Sequence, residues 1–397
     1  MMKEEDSLTV FWPRVAVPEI LEVQFCHDFC RRMSRELCAE ALSERSWLEY
    51  GADEGLERLC LRSRAEMLLV VTDPELVVSA SAVRRLADAA RSGHGACGPV
   101  FNVTAFPGQR AELPAPYFNA TTFLEITRLV GEGAGREPAP AEVLDPACVL
   151  YRREALLPPA GKPPVRAMAK AITEPGPGVV VRGALVHRFG DYYSGERDDL
   201  VRLVPESVKR VLDVGCARGG YGKRLKQVRP AIHLTGVELN PIMAEYARRH
   251  YDEVLTCPVE EANLAAGFDL VNCGDLLEHL HDPPRVLAHL RDLLRPRGYL
   301  TASVPNVGHW SVVKDLLRGR FEYVPVGLLC ISHIRWFTES SLREVLERSG
   351  FAIDTFQRDV APATPGGEAF IRAVCAAGFG DEQSLRTNEF IIRAIKA

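Results

Sequence analysis

The sequence predicts an α/β chain of two domains, the second built on an open, mostly parallel sheet. Three observations carry this. At 397 residues the chain exceeds what one ordinary core accommodates. From Arg210 onward, short apolar runs alternate with amphipathic stretches, the pattern of βαβ units. One of those runs, Val211–Val214, opens directly into a glycine turn, Gly215-Cys216-Ala217-Arg218-Gly219-Gly220. The boundary falls near Gly190, giving domains 1–190 and 191–397.

In the second domain Arg210–Gly215 reads as a buried strand, Gly220–Gln227 as a helix and Ile232–Glu238 as a second strand. Pro241 starts the next helix in its first turn, where a missing N–H costs nothing. Glu253–Cys257 and Phe268–Gly274 are the third and fourth strands. Pro283–Leu294 is amphipathic, with Val286, Leu287, Leu290, Leu293 and Leu294 on one face. Tyr299–Pro305 is the fifth strand, and Glu339–Ser349 is a helix stopped by Gly350. Phe351–Phe356 and Phe390–Ala394 close the sheet, one of them antiparallel.

Composition narrows the function classes. A net charge of −5 without a basic block gives nucleic-acid binding no electrostatic support. No run of 18 apolar residues exists, so no membrane span is expected. The start, MMKEEDSLTVFW, has acids where a secretory signal carries bases, which predicts a cytoplasmic protein. Its 11 unevenly spaced cysteines fit a reducing compartment. Cys26, His27 and Cys30 could share a helical turn, but a zinc site needs a second ligand pair, so they read as free thiols and no metal is assigned. Proline-rich stretches at Glu137–Pro146 and Leu157–Pro164, then Glu174–Gly178, read as loops.

The glycine turn after Val214 lets backbone approach a ligand at the carboxyl end of the strands. Glu238, ending the next strand, can accept hydrogen bonds from two ribose hydroxyls. A nicotinamide cofactor and S-adenosylmethionine both fit so far. Asp213, two residues before Gly215, separates them: an anion there would repel a pyrophosphate but suits an ammonium and a sulfonium. The middle glycine of the dinucleotide pattern is also missing, replaced by Ala217. S-adenosylmethionine is therefore the expected cofactor.

VLDVGCARGG, GVELNP, FDLVNCGDLLEHLHDP, LLRPRGYLTASVPNVGHW and LLCISHIRWFTESSLREVLERSGF occur in that order. Together they resemble the class I methyltransferases related to the ubiquinone and biotin-pathway enzymes, from about Tyr192 onward. The resemblance implies a Rossmann-like sheet. It also implies that Asp213, Gly215 and Gly219 line the methionine half of the cofactor, that Cys216 belongs to the cofactor-binding set and that Glu238 holds the ribose. Asp275 would lie under the methionine ammonium or the acceptor, and Tyr193, in Asp191-Tyr-Tyr-Ser-Gly-Glu-Arg197, would cap the site. The chain departs from the family pattern at Ala217, at Pro258 (where relatives place an acid for adenine, leaving Glu260 or backbone) and at Cys330. Ala217 is tolerable if its φ is negative.

Methyl transfer from a sulfonium is an in-line displacement in which the enzyme aligns the nucleophile and removes its proton. His279 is the first candidate base, with loop orientation as the competing role, and His309, beside Trp310, is the second candidate catalytic group. His281 lies too close to make a zinc helix, and His333-Ile-Arg335-Trp336 reads as a substrate lid. The expected acceptor is a small molecule or a glycan.

In the first domain, Met67–Thr72 reads as a strand ending at Asp73 and Glu75, followed by a helix over Ala82–Ala90; Gly98-Pro-Val and Leu144–Leu156 follow. This is similar to the second half of a family 2, GT-A-like glycosyltransferase domain, which implies a divalent metal at Asp73 and Glu75. No N-terminal strand is recognisable before residue 50, and Glu154 stands alone where an acidic pair is expected. The reading is a degenerate, scaffolding domain. The alternatives are a bifunctional glycosyltransferase/methyltransferase and a non-catalytic S-adenosylmethionine-binding protein.

Overall fold

The computed structural model describes residues 7–14, 21–51, 54, 56–135, 137–156, 177–190 and 192–397. The loop expected at Leu157–Pro164, most of the Glu174–Gly178 cluster, and Ala52, Asp53, Gly55 and Asp191 lie outside them. The chain divides into two compact units, Met1–Gly190 and Asp191–Ala397. Among the described residues no helix is long and apolar enough to cross a membrane.

The first unit is a mixed sheet. Its strands are β1 (Leu8–Pro13), β2 (Trp47–Tyr50), β3 (Met67–Val71), β4 (Leu76–Val77), β5 (Ala96–Phe101), β6 (Ala139–Ala141), β7 (Cys148–Arg152) and β8 (Gly178–Arg188). They lie in the order β2-β1-β3-β7-β5-β8-β4, with β6 paired to β8. β7 runs antiparallel to both neighbours. The segment before residue 50 thus does supply strands. β1 is buried from Leu8 to Trp12 and pairs with β2 and β3, so both faces are covered and the run shows no alternation to read. Helix Ala80–Arg91 is capped by Ser79 and buries Val83, Leu86 and Ala90.

The second unit has strands β9 (Arg210–Val214), β10 (His233–Val237), β11 (Glu253–Leu255), β12 (Phe268–Gly274), β13 (Leu294–Pro305), β14 (Phe351–Val360) and β15 (Thr387–Lys396). Their order is β11-β10-β9-β12-β13-β15-β14, and β15 alone runs antiparallel to the rest. Successive β9 residues feed opposite cores. Leu212 and Val214 join Val271, Leu287 and Leu290, while Val211 joins Leu225, Leu234 and Leu270. Both faces of the sheet are therefore dry, as parallel strands require. The chain winds β9–β10–β11 one way and then crosses to β12, so a switch point lies at the carboxyl ends of β9 and β12. Three helices not expected from the sequence, Trp310–Leu316, Pro365–Ala376 and Glu382–Arg386, pack around Ile371 and Leu385 beyond β13.

Candidate active site

At the switch point, the turn after β9 is tied to its neighbour: the N–H groups of Gly215 and Cys216 both donate to the Val237 carbonyl, at 2.8 and 3.2 Å. Gly220 starts helix Gly220–Val228 beneath the backbone of Ser194 and Gly195. A Cβ there would meet the Gly195 carbonyl oxygen at 2.2 Å, so only glycine fits. Arg218 N–H also donates to the Tyr193 carbonyl. The segment holding Tyr193 therefore lies on the glycine turn, where the sequence places a cap. Ala217, however, has φ +46°, a left-handed conformation that costs a residue with a Cβ about 1–2 kcal/mol. The negative φ that would make this substitution harmless is not what the turn adopts.

Glu238 stands just past β10, half-buried, with its carboxylate already oriented. Oε2 accepts from Ala217 N and Oε1 from Asn240 N, both at 2.8 Å. Asp213 lies deeper, 2% exposed, taking hydrogen bonds from the Tyr251 hydroxyl and from Asn272 Nδ2 at 2.7 Å. Burial pushes its carboxyl up to about 6 against the pull of these two donors. Asp213 thus braces the turn from below. Cys216 points the same way: its thiol is buried near Gly236 and Tyr251, so it can meet a ligand only through its backbone. Gly219, at φ +86°, caps the helix start.

Past β12, Asp275 has φ +49°. Its Oδ1 accepts from Ser303 Oγ at 2.8 Å and its Oδ2 from Arg197 Nη1 at 2.5 Å. Burial would raise this carboxyl, but the Arg197 guanidinium overrides it and holds it below the usual range. Arg197 also binds Asp199 and Glu389 at 2.7 and 2.9 Å. Burial and the neighbouring Asp275 push the Glu389 carboxyl well up. Arg197 and Glu389 escaped the sequence reading. The first sits in a segment read through its tyrosines, and the second immediately precedes the apolar run Phe390–Ala394.

The histidines divide. His279 ends the 3-10 turn Leu277–His279, half-buried, with Nδ1 3.1 Å from the Ser332 carbonyl and its ring 4.8 Å from that of His333. Glu278, beside both, is 1% exposed, and burial pushes its carboxyl well up. His333 is buried, with Nδ1 3.2 Å from the Leu328 carbonyl, and burial lowers it to about 4. The lid segment is clipped to this turn, because Ile334 N and Arg335 N both donate to the Glu278 carbonyl. Trp336 packs between His333, Phe321 and Tyr323. His281 is exposed, and Glu260 is exposed on the turn after Pro258. His309 is different in kind. It is fully buried, its Nδ1 accepts from Ser311 to cap helix Trp310–Leu316, and burial lowers it to about 3. That is a neutral capping side chain, not a group facing a substrate.

In the first unit, Asp73 and Glu75 lie in the turn between β3 and β4, but an arginine occupies the acid. Arg188 Nε lies 2.7 Å from Asp73 Oδ2, and its Nη1 lies 3.0 Å from Asp145 Oδ2. Asp73 Oδ1 accepts from Glu75 N in a tight turn, and Glu75 lies 3.9 Å from His27. Cys26 and Cys30 are buried free thiols, and Glu154 pairs with Arg152.

The family model for a methyltransferase domain matches residues 187–355. The malonyl-[acyl-carrier protein] O-methyltransferase of Geobacter sulfurreducens is 30% identical over 43% of this chain and 67% of its own length. The ubiquinone biosynthesis O-methyltransferase of Xylella fastidiosa is 33% identical over 32% of this chain and 58% of its own. The trans-aconitate 2-methyltransferase of Deinococcus radiodurans is 33% identical over 32% and 50%. The chain thus spans between half and two thirds of these relatives, and each match covers less than half of this chain. The strand-end carboxylates, the glycine turn and these relatives agree on the methyl donor, S-adenosylmethionine: the chain belongs to the class I S-adenosylmethionine-dependent methyltransferases.

Proposed function

We propose that the chain methylates an oxygen of a small or carrier-linked acceptor held at the end of β12. The observation that carries this is one juxtaposition: Glu238, the glycine turn and Asp275 share the carboxyl edge of the sheet, and Glu278, His279 and His333 follow directly from Asp275. The cofactor would lie along the turn with its ribose on Glu238. An acceptor oxygen attacks the methyl carbon in line, the carbon–sulfur bond breaks, and sulfur leaves as a neutral thioether. His279, with Glu278 and His333 packed beside it, handles the acceptor's proton, with Trp336 and Tyr323 as an aromatic wall. Two of the three relatives above are named as O-methyltransferases, which supports oxygen as the target. The test is transfer of label from S-adenosylmethionine to a panel of carboxylate and phenol acceptors. His279→Ala should lower kcat by about 10²–10⁴. Label appearing only on amines or thiols would overturn the oxygen assignment.

We further infer that the first unit is a glycosyltransferase-like scaffold that does not use a metal at Asp73. Its mixed sheet with an inserted antiparallel strand supports the likeness. The Arg188 guanidinium between Asp73 and Asp145 supports the loss of metal, since it already supplies the positive charge. Sugar-nucleotide turnover by the full chain with manganese would overturn this. The free cysteines support a reducing, cytoplasmic setting.

A further inference from the structure

Glu278 is the least expected charge in the second unit. It is 1% exposed, and no side-chain donor reaches either carboxylate oxygen. A buried carboxylate in that state needs a proton or a cation. Its neighbours supply the rest of a cation's requirements. His279 Nδ1 and His333 Nδ1 each face a backbone carbonyl, Ser332 and Leu328 respectively. A carbonyl can only accept, so both rings carry their proton on Nδ1 and present Nε2 as a lone-pair nitrogen. Fixing the outer nitrogen on a carbonyl is how metal-binding histidines are oriented. His333 Nε2 lies 3.9 Å from Glu278 Oε1, and one ligand atom from each of Glu278, His279 and His333 lies within 4.8 Å of the others. Ligands bound to a zinc-class ion at about 2.1 Å sit roughly 3–4 Å apart, so the set closes when its widest separation shortens by about 1–2 Å.

We propose that Glu278, His279 and His333 form a site for one divalent transition-metal ion of the zinc class. The two segments that supply the ligands are already fastened together, through Ile334 N and Arg335 N on the Glu278 carbonyl, so the site is organised by backbone rather than by the ion. Three protein ligands leave at least one position for water or an acceptor oxygen. Asp275 is committed to Arg197 and Ser303 and stays outside the set. The catalytic meaning rests on the methyltransferase reading. An acceptor hydroxyl on the ion loses its proton to solvent more easily, and the resulting oxyanion then attacks the methyl carbon. In that arrangement His279 acts as a ligand.

The test needs no cofactor or acceptor, so its outcome is separate from that of the methyltransferase reading. Metal-free full-length protein is titrated with Co²⁺, followed by visible spectra, and then with Zn²⁺ in competition. One equivalent of Co²⁺ should bind, with nitrogen–oxygen ligation and no sulfur charge-transfer band, and Zn²⁺ should displace it. Glu278→Gln and His333→Gln should each weaken binding by about 10–100-fold or more, since even outer partners of a ligand are worth that much. His281→Gln, an exposed neighbour, should bind as the wild type does. Melting curves of metal-free protein identify any variant that fails to fold, and the other ligand substitution then decides. Absence of a stoichiometric Co²⁺ complex, a thiolate spectrum, or wild-type binding by the folded ligand variants would overturn the proposal.

Discussion

Replacing His309 by Asn separates a capping histidine from a catalytic one. Asn keeps an oxygen that can accept from Ser311 N, so the start of helix Trp310–Leu316 stays capped, while the titratable ring is gone. In the folded chain His309 is held near 3, against about 6.5 when unfolded. Its folded pKa is depressed, so between these values the unfolded chain binds the proton and the folded chain does not. Stability from this residue is present above 6.5 and is lost as pH falls through that window. From pH 7 to pH 5 the unfolded ring gains most of its proton, which costs the wild type about 2 kcal/mol that the variant does not lose. The variant should be less stable at pH 7 by about 1–3 kcal/mol, for the cavity its smaller side chain leaves. That deficit should shrink by about 2 kcal/mol at pH 5. Urea unfolding at both pH values measures it, and the difference between the two proteins cancels every other titrating group. The variant should also retain most of its kcat, because a group held near 3 is no base at neutral pH. A deficit independent of pH, or a kcat loss of about 10²–10⁴ in a folded variant, would refute the reasoning.

Ala217→Gly should raise the melting temperature, because the left-handed strain removed at φ +46° exceeds the added chain entropy by up to about 1 kcal/mol; a lower melting temperature would contradict it. Arg188→Gln should cost about 1–3 kcal/mol in urea unfolding by taking the cation from Asp145, which is 2% exposed and keeps its bonds from Thr104 and Ala147, and Asp145→Asn on top should recover part of that. Gly220→Ala should weaken S-adenosylmethionine binding by displacing the Ser194–Gly195 backbone; unchanged affinity by calorimetry would show that this segment plays no part.

The second unit was legible because its strands are short apolar runs buried on both faces, and β12 occurs where the residues place it, Phe268–Gly274. β13 begins earlier than its sequence suggests. The apolar pattern puts Leu294 on the face of the preceding helix and starts the strand at Tyr299, yet Leu294 pairs with Phe268 across a register shift. Helices Trp310–Leu316 and Pro365–Ala376 were missed because they pack on each other, through Trp310 and Ile371, rather than showing a stripe against the sheet. At the site, a residue's place on a strand end was readable but its direction was not. Glu238 and Asp275 stand at the edge as expected, whereas Asp213 and Cys216 turn inward to Tyr251. Arg197 binds acids 78 and 192 residues away, a pairing that no local pattern records.

Calorimetry of S-adenosylmethionine on the full chain, with Glu238→Ala and Glu238→Gln beside it, shows whether this carboxylate holds the ribose of the methyl donor. Glu238 accepts from Ala217 N and Asn240 N, so its carboxylate is oriented before any ligand arrives. The wild type should bind with one-to-one stoichiometry. The Ala variant should lose about 1–3 kcal/mol, the cost of leaving ribose hydroxyls without an acceptor. The Gln variant, which keeps one oxygen, should fall between. Equal affinity in all three proteins would remove Glu238 from the cofactor site, and binding of NADH in place of S-adenosylmethionine would contradict the account at its base.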